Sequence, residues 1–352
     1  MGGIPMTAAD ARTAGRNDID ATTVTVVIVN YNSGPWLGRA LRGLARQSVQ
    51  GFATLVIDNA STDASADICA AFDRVELIRS DTNLGFASAN NRAVERASTE
   101  WIVLLNPDAI PLRRWLERLL AEAQRRPDYA IFGCTQLCAH DRHRFDGTGD
   151  EVSALGVAWR KRYLERRERI PSGPVFSVCG AALMIRRRDF LALGGFDERF
   201  FCYAEDVDLC FRANLRGLRC WHVADACVLH ASSTSTSHGV HPFAIYHGYR
   251  NLLWTYIKNM PSALLPLPLL GHASLTLLKA LLAGDSAARI AYLRALYDAW
   301  RGSGPFWRSR AAERAHHTLP VSKLVRQLHW NPLDIPGRRP WRTARRQPPG
   351  AA

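Results

Sequence analysis

The chain has 352 residues, 47% of them hydrophobic, and a formal net charge of +13. Length and apolar content exclude a chain too small or too polar to bury a core, and fit one large domain or two smaller ones. The charge is uneven: from Arg301 onward about eleven Arg and Lys face only Glu313 and Asp334, a local excess of roughly +9 that suits anionic lipid, nucleic acid or plain solvent.

Residues 1–22 are small, polar and of mixed charge. They lack the apolar stretch of a secretory signal and read as a disordered leader. Thr23 to Val29 is β-branched and apolar, which predicts a buried strand. Ser33-Gly34-Pro35 then opens a helix, with Ser33 as cap, Pro35 in the first turn, and Leu37, Leu41 and Leu44 as its stripe. Thr54 to Ile57 is a second strand ending at Asp58. Ser61-Thr62-Asp63 caps a helix running to Phe72, and Val75 to Ile78 is a short third strand. A loop from Asn83 leads into a helix ending near Ala97. Trp101 to Leu105 is a fourth strand, Leu112 to Arg125 an amphipathic helix, and Ala130 to Leu137 a further strand. Alternation at this spacing predicts an α/β fold with a mostly parallel sheet flanked by helices.

The segment from His140 to Pro174 is polar, basic and broken by Gly and Pro, and reads as an irregular insertion. Phe176 to Ile185 returns to a buried strand. Phe190 to Phe196 is a short helix and turn, Glu205 to Leu215 a helix stopped at Gly217, and residues 221–223 and 227–230 two short strands. From Tyr246 the character changes. Residues 262–283 are nearly uncharged, but Pro266, Pro268, Gly271, His272 and Lys279 argue against a simple span. The segment either lies in a membrane interface, with the basic tail against headgroups, or packs on the domain; the first is the reading adopted. The expected organisation is thus a leader (1–22), a catalytic domain (23–245), an apolar or amphipathic helical region (246–300) that associates with a membrane, and a basic, Pro-containing tail (301–352) that is extended and disordered.

Polar residues gather where strands end, which is the ligand edge of an open α/β sheet. Asn106-Pro107-Asp108 follows a buried strand, and a carboxylate there can hold a hard divalent cation with phosphate oxygens and water. Asp58 sits too early to be a helix cap and reads as a ligand contact. The amide-rich run from Asn83 to Asn90 and Asn91 either faces phosphate or base, or merely caps a turn. Glu205-Asp206-Val207-Asp208 opens a helix beside apolar Phe200 to Tyr203, a setting that raises a carboxylate's pKa and makes a usable general base. His230 ends its strand and can reach a metal or a diphosphate; His222 reads as core. The eight cysteines form no zinc or disulfide pattern and read as reduced thiols of a cytoplasmic protein. No GxGxxG or GxxxxGK[ST] occurs, and although the Arg-rich tail carries Trp330 and Trp341, Pro332, Pro336 and Pro340 make it read as extended rather than as a specific nucleic-acid binder.

Six segments taken together, VVIVNYNS (26–33), VIDNASTD (56–63), NLGFASANNRA (83–93), LLNPDA (104–109), CGAALMIRR (179–187) and GGFDERFFCYAEDVDLCFR (194–212), resemble family 2 glycosyltransferases of the GT-A fold, in their rhamnosyltransferase-like branch. The resemblance implies a metal-dependent, inverting transfer from a nucleotide-diphosphate sugar to an acceptor hydroxyl. Asn30, Tyr31, Asn32 and Asp58 would line the nucleotide pocket, Asn83 and Asn90 would shape it, and Asn106 would contact the nucleotide sugar. Asp108, with His230, is placed at the metal site for Mg²⁺ or Mn²⁺, Asp206 matches the general base, and Gly180 and Asp197 would border the sugar and acceptor. The expected donor is dTDP-rhamnose, with UDP-galactose, UDP-galactofuranose or a GDP-sugar as alternatives. The expected acceptor is a glycan or polyprenyl-diphosphate-linked glycan used in envelope polysaccharide assembly, handled by a peripheral protein on the inner face of the cell membrane. The competing reading is a non-catalytic subunit of an assembly complex.

Overall fold

In a computed structural model of the chain, residues 20–232 and 241–335 are described; the leader up to residue 19 and the basic stretch from 336 lie outside them. The first half alternates as its hydrophobic pattern dictates. It runs β1 (Val24–Asn30), α1 (Trp36–Ala45), β2 (Ala53–Asp58), β3 (Val75–Arg79), α2 (Gly85–Arg96), β4 (Trp101–Leu105), β5 (Ala109–Pro111) and α3 (Trp115–Arg125). Between β2 and β3 the chain makes a 3-10 helix over Ala64–Ala71, capped by Asp63, whose side chain accepts the Ser65 N–H. Ser33 does not cap α1; its hydroxyl donates to Asn30 Oδ1 at 2.5 Å.

The second half runs β6 (Ile131–Cys138), β7 (Asp141–Gly147), β8 (Asp150–Val152), β9 (Ala158–Arg160), β10 (Gly173–Val175), β11 (Ala182–Arg186), α4 (Arg187–Ala192), α5 (Glu205–Leu215) and β12 (Cys220–His230). The segment 140–174, expected to be irregular, therefore carries four strands. The strand expected over 176–185 is split around Cys179-Gly180, and the two expected at 221–230 are one strand with an irregularity between Val223 and Cys227.

Ten strands form one sheet in the order β10-β12-β6-β11-β4-β1-β2-β3, with β5 beside β12 and β7 beside β6. The expectation of a mostly parallel sheet needs correction. The pairs β4-β1-β2-β3 are parallel, but β11 runs antiparallel to both neighbours, and β10, β5 and β7 are antiparallel too. The physical reason lies in the connections. Parallel neighbours need crossover helices, which the chain supplies up to α3; β6 to β10 are joined by turns and loops, which permit antiparallel return.

Two apolar layers sandwich the sheet. Leu37, Leu41 and Leu44 of α1 and Trp115, Leu116, Leu119 and Leu120 of α3 cover Val26, Ile28, Val56 and Val103. Ala87, Ala89, Ala93 and Val94 of α2 and Leu209, Cys210 and Ala213 of α5 cover Val27, Leu55, Ile102 and Leu104 on the other face. Each fully buried Leu in these stripes contributes about 1.5–3 kcal/mol. The strand order reverses between β1 and β4, so their C-terminal ends open a crevice where such sheets bind ligands.

Helices α6 (Pro242–Asn259), α7 (Pro266–Leu282), α8 (Ser286–Arg301), α9 (Gly304–Ala315) and α10 (Val321–Gln327) complete the described chain. Helix α6 is a buried spine: Leu252, Tyr256 and Met260 pack with Phe211 and Leu215 of α5, and the Tyr256 hydroxyl donates to Ser153 O at 2.7 Å. The segment from 301 to 335, expected to be extended, instead folds. Phe306 and Leu324 are buried, because a few apolar anchors outweigh the surrounding charge. Among the described residues, no helix is long and apolar enough to cross a membrane.

Candidate active site

The end of β1 meets the end of β2 through side chains. Asn30 is fully buried, and its Nδ2 lies 2.9 Å from Asp58 Oδ1 and 2.9 Å from Ser65 Oγ. Asn32 takes a positive φ of 46°, which Asn tolerates, and accepts the Thr62 N–H at 2.7 Å. Asp58 is buried, with Arg79 at 3.6 Å. Buried Asn30 and Asp58 therefore knit the ends of β1 and β2 together, with exposed Asn32 and Tyr31, the latter 49% exposed, at the surface beside them. Asn83 accepts from Asn59 at 2.8 Å and from the Gly85 N–H at 2.9 Å, and buried Asn90 donates back to Phe86 O at 2.8 Å. Asn59, which joins β2 to that loop, is a framing residue that the strand-end pattern displayed but the candidate set omitted.

Where β4 ends, Asn106 and Asp108 form a corner with His230. Asn106 Oδ1 is buried with no hydrogen-bond partner, and buried Asp108 Oδ1 lies 3.3 Å from His230 Nε2. On its other side, His230 Nδ1 lies 2.7 Å from Asp146 Oδ2, which also accepts from Arg160 at 2.7 Å. Burial opposes charging of His230, but the flanking Asp108 and Asp146 carboxylates outweigh it and push the pKa up to about 9. His230 thus stands between Asp108 and Asp146 and holds Asp108 in place. An orphaned amide oxygen beside a carboxylate is a donor set that fits a hard divalent cation. Among the described residues, no group of three or more His, Cys, Asp or Glu is placed to hold a metal alone, so a diphosphate and water would have to complete the shell.

Asp206 stands at the N-terminal end of α5, partly buried, its Oδ2 accepting the Gly180 N–H at 2.7 Å and its Oδ1 accepting the Val207 N–H at 2.8 Å. Burial raises its pKa despite those donors. Asp150, missed by the sequence reading, is its partner. It is buried, its N–H donates to Ser177 O at 2.9 Å, and desolvation together with the Asp206 charge pushes its pKa up to about 8. Neighbouring Glu205 is also held well above the usual carboxylate range by burial and by Asp206, and its Oε2 has no hydrogen-bond partner.

The loop feeding Asp206 is strained: Phe201, Tyr203 and Ala204 all have φ between 65° and 69°. It is held from outside the sheet, because Asn251 Nδ2 of α6 lies 2.9 Å from Phe200 O and 2.8 Å from both Cys202 O and Tyr203 O. Gly85 (φ +78°) lets this loop close on α2; a Cβ there would stand 2.5 Å from the Phe201 ring. Asp197 is committed elsewhere. Its oxygens accept from Arg199 at 2.5 and 2.7 Å and from Lys258 Nζ at 2.8 Å. Burial works against its charge, yet Arg199 and Lys258 hold it below the usual range. Lys258 also binds fully buried Asp208 at 2.8 Å, which pairs with Arg212 at 2.9 Å, so Asp197 is linked through Lys258 of α6 to α5. The expected core position of His222 holds: it is buried, Thr135 is its partner at 3.2 Å, and burial lowers its pKa to about 4.

The geometry agrees with what the chain is similar to. Residues 25–194 match the family described as glycosyl transferase family 2. The N-acetylglucosaminyl-diphospho-decaprenol L-rhamnosyltransferase of Mycobacterium tuberculosis is 30% identical over 243 residues, covering 60% of this chain and 76% of its own. The rhamnosyltransferase WbbL of Escherichia coli is 26% identical, covering 57% and 80%. Among solved structures, the mannosyltransferase PcManGT of Pyrobaculum calidifontis, in complex with GDP-Man and Mn²⁺, superposes with a TM-score of 0.50 at 17% identity, covering 83% of this chain and 87% of that one. With these relatives, the chain belongs to glycosyl transferase family 2, as a rhamnosyltransferase-like member.

Proposed function

We propose that the protein is an inverting glycosyltransferase that moves rhamnose from dTDP-rhamnose to a hydroxyl of a polyprenyl-diphosphate-linked glycan, in cell-surface polysaccharide assembly on the cytoplasmic face of the membrane. The observation that carries this reading is Asp206, a carboxylate of raised pKa aimed by the Gly180 amide on a strained loop. The M. tuberculosis relative carries both an L-rhamnosyl group and a decaprenol-linked diphosphate in its name, which supports donor and acceptor alike.

In this reading Tyr31 meets the base, and the Asn30, Asn32, Asp58, Asn59, Asn83 and Asn90 framework fixes the pocket around the nucleoside. Asn106 and Asp108 would hold Mg²⁺ or Mn²⁺, which when bound neutralises charge on the departing diphosphate. Asp206 removes the acceptor's proton as its oxygen attacks the anomeric carbon from the face opposite the leaving group, through an oxocarbenium-like transition state. Burial keeps Asp206 basic, while neighbouring Asp150, pushed up to about 8 by its own burial and the Asp206 charge, stays neutral beside it. The membrane reading rests on α7. Its buried stripe is Pro268, His272, Thr276 and Ala280, while Leu270, Leu278, Leu281 and Leu282 point outward, 49–70% exposed. An outward apolar face on a helix too short to span is the geometry of interfacial binding.

The test is nucleotide-diphosphate release from a panel of nucleotide sugars, with Mg²⁺ or Mn²⁺ and a polyprenyl-diphosphate acceptor, alongside Asp206→Asn. Release confined to dTDP-rhamnose and lost in Asp206→Asn is the expected result. Release from UDP-galactose, UDP-galactofuranose or a GDP-sugar would reassign the donor, and turnover of none would favour the non-catalytic subunit.

A further inference from the structure

The reverse face of the β5–β12 ladder carries a second cluster that the transferase reading does not use. Ala109 pairs with His230 and Ile110 with Leu229. Successive strand residues point to opposite faces, so Ile110 and Leu229 face away from the Asp108–His230 corner. There they floor a recess of about 630 Å³ with Pro111, Leu112 and Gly43. Gly43 brings α1 close to β5: a Cβ there would lie 2.8 Å from Pro111 Cδ.

Five arginines ring this recess, Arg39 and Arg42 from α1, Arg46 just past its end, Arg113 after β5 and Arg142 on β7, and all five are exposed. Among the described residues none of the five makes an ion pair, although their sequence neighbours do: Arg114 pairs with Glu117 at 2.6 Å and Arg144 with Asp141 at 3.2 Å. Helix α1 has no acidic residue in its first turn, and no carboxylate lines the recess. Like charges three and four residues apart oppose one another on a helix, and two further guanidinium groups are brought in by separate segments. The macrodipole favours Arg42 and Arg46 near the C-terminal end of α1, but it does not account for Arg39, Arg113 or Arg142. Only Arg39 has a local partner, the Trp36 ring at 4.5 Å.

We propose that this recess is a binding site for a phosphate-bearing ligand, separate from the donor pocket. Forked guanidinium groups match phosphate oxygens, and the apolar floor accommodates a hydrocarbon attached to the phosphate. The same chemistry serves a soluble diphosphate and an anionic lipid headgroup. The site stands independently of the transferase reading, since none of its residues belongs to the donor pocket or the Asp206 centre.

The experiment uses the full chain in EDTA at low ionic strength, which disables the Asp108 corner as a cation-dependent diphosphate site. Inorganic pyrophosphate is titrated calorimetrically into the wild type, Asp108→Asn, the triple variant R42Q/R113Q/R142Q and its lysine counterpart R42K/R113K/R142K. In parallel, phosphatidylglycerol vesicles are co-sedimented with each, and circular dichroism checks folding. The expected result is pyrophosphate binding that Asp108→Asn retains, that the glutamine triple weakens at least about tenfold, and that the lysine triple weakens less. Absence of pyrophosphate binding, with vesicle binding lowered in the glutamine triple and kept in the lysine triple, would support the site with the lipid headgroup as its source. If the folded glutamine triple matches the wild type with both ligands, the proposal is overturned.

Discussion

The Gly180 amide lies 2.7 Å from Asp206 Oδ2, and a Cβ at Gly180 would stand 3.3 Å from that same oxygen. The bond that aims the carboxylate thus depends on a residue with little room for a side chain. In Asp206→Asn the shape is kept and the base is lost, so kcat should fall by about 10²–10⁴ while donor binding is unchanged. Steady-state kinetics beside donor-binding calorimetry would check this, and equal loss in both would remove Asp206 from the chemical step.

Asp150→Asn should leave the acidic limb of the pH–rate profile in place, because Asp150 carries no charge below about pH 8 and Asp206 is raised by burial. The stability sign follows from linkage. Asp150 stays protonated in the folded chain up to about pH 8, whereas in the unfolded chain it ionises near 4. The folded state therefore binds the extra proton, and this contribution to stability is present below about pH 4 and lost as pH rises towards 8. Urea unfolding across that window should show the variant gaining on the wild type as pH increases.

Asn251→Ala should cost about 2–4 kcal/mol, since it leaves buried carbonyls of the 200–203 loop without their donor. It should also lower kcat, as Asp206 rides on that loop. A variant that loses stability but keeps full turnover would separate the loop's strain from catalysis.

Turnover should vanish in EDTA and return with Mg²⁺ or Mn²⁺. Asp108→Asn should raise the cation concentration needed for half-maximal rate by about tenfold or more, one charge having been taken from the shell. A metal titration of the rate, wild type against variant, gives the answer.

Leu270→Asp with Leu281→Asp should reduce co-sedimentation with anionic vesicles without changing the unfolding midpoint by more than about 0.5 kcal/mol, because both side chains are about 70% exposed. Unaltered vesicle binding would leave α7 as an apolar face of another purpose.

The first half of the fold was legible because β1, β2 and β4 are apolar runs and α1 and α3 carry clear leucine stripes. The segment from 140 to 174 was not. Strand β7 reads DRHRFDG with its first four residues exposed, so it has neither an apolar run nor an alternation to betray it. Asp146 and Asp150 lie in a glycine-rich stretch that reads as a turn. Their roles arise only when the fold brings up His230, 84 residues further on, and Asp206. Asp197, which the family resemblance put at the sugar and acceptor, has a partner that no motif displays: Lys258, 61 residues further on in α6.

Asn251 has a wider consequence. The segment matched by the family ends at residue 194, yet the carboxylate that would take the acceptor's proton is carried at 206 and steadied from α6. On the proposed reading, nucleotide recognition and bond formation therefore belong to different stretches of chain. A fragment cut before α6 would keep the β1–β2 framework but lose the Asn251 contacts that steady the loop ahead of Asp206.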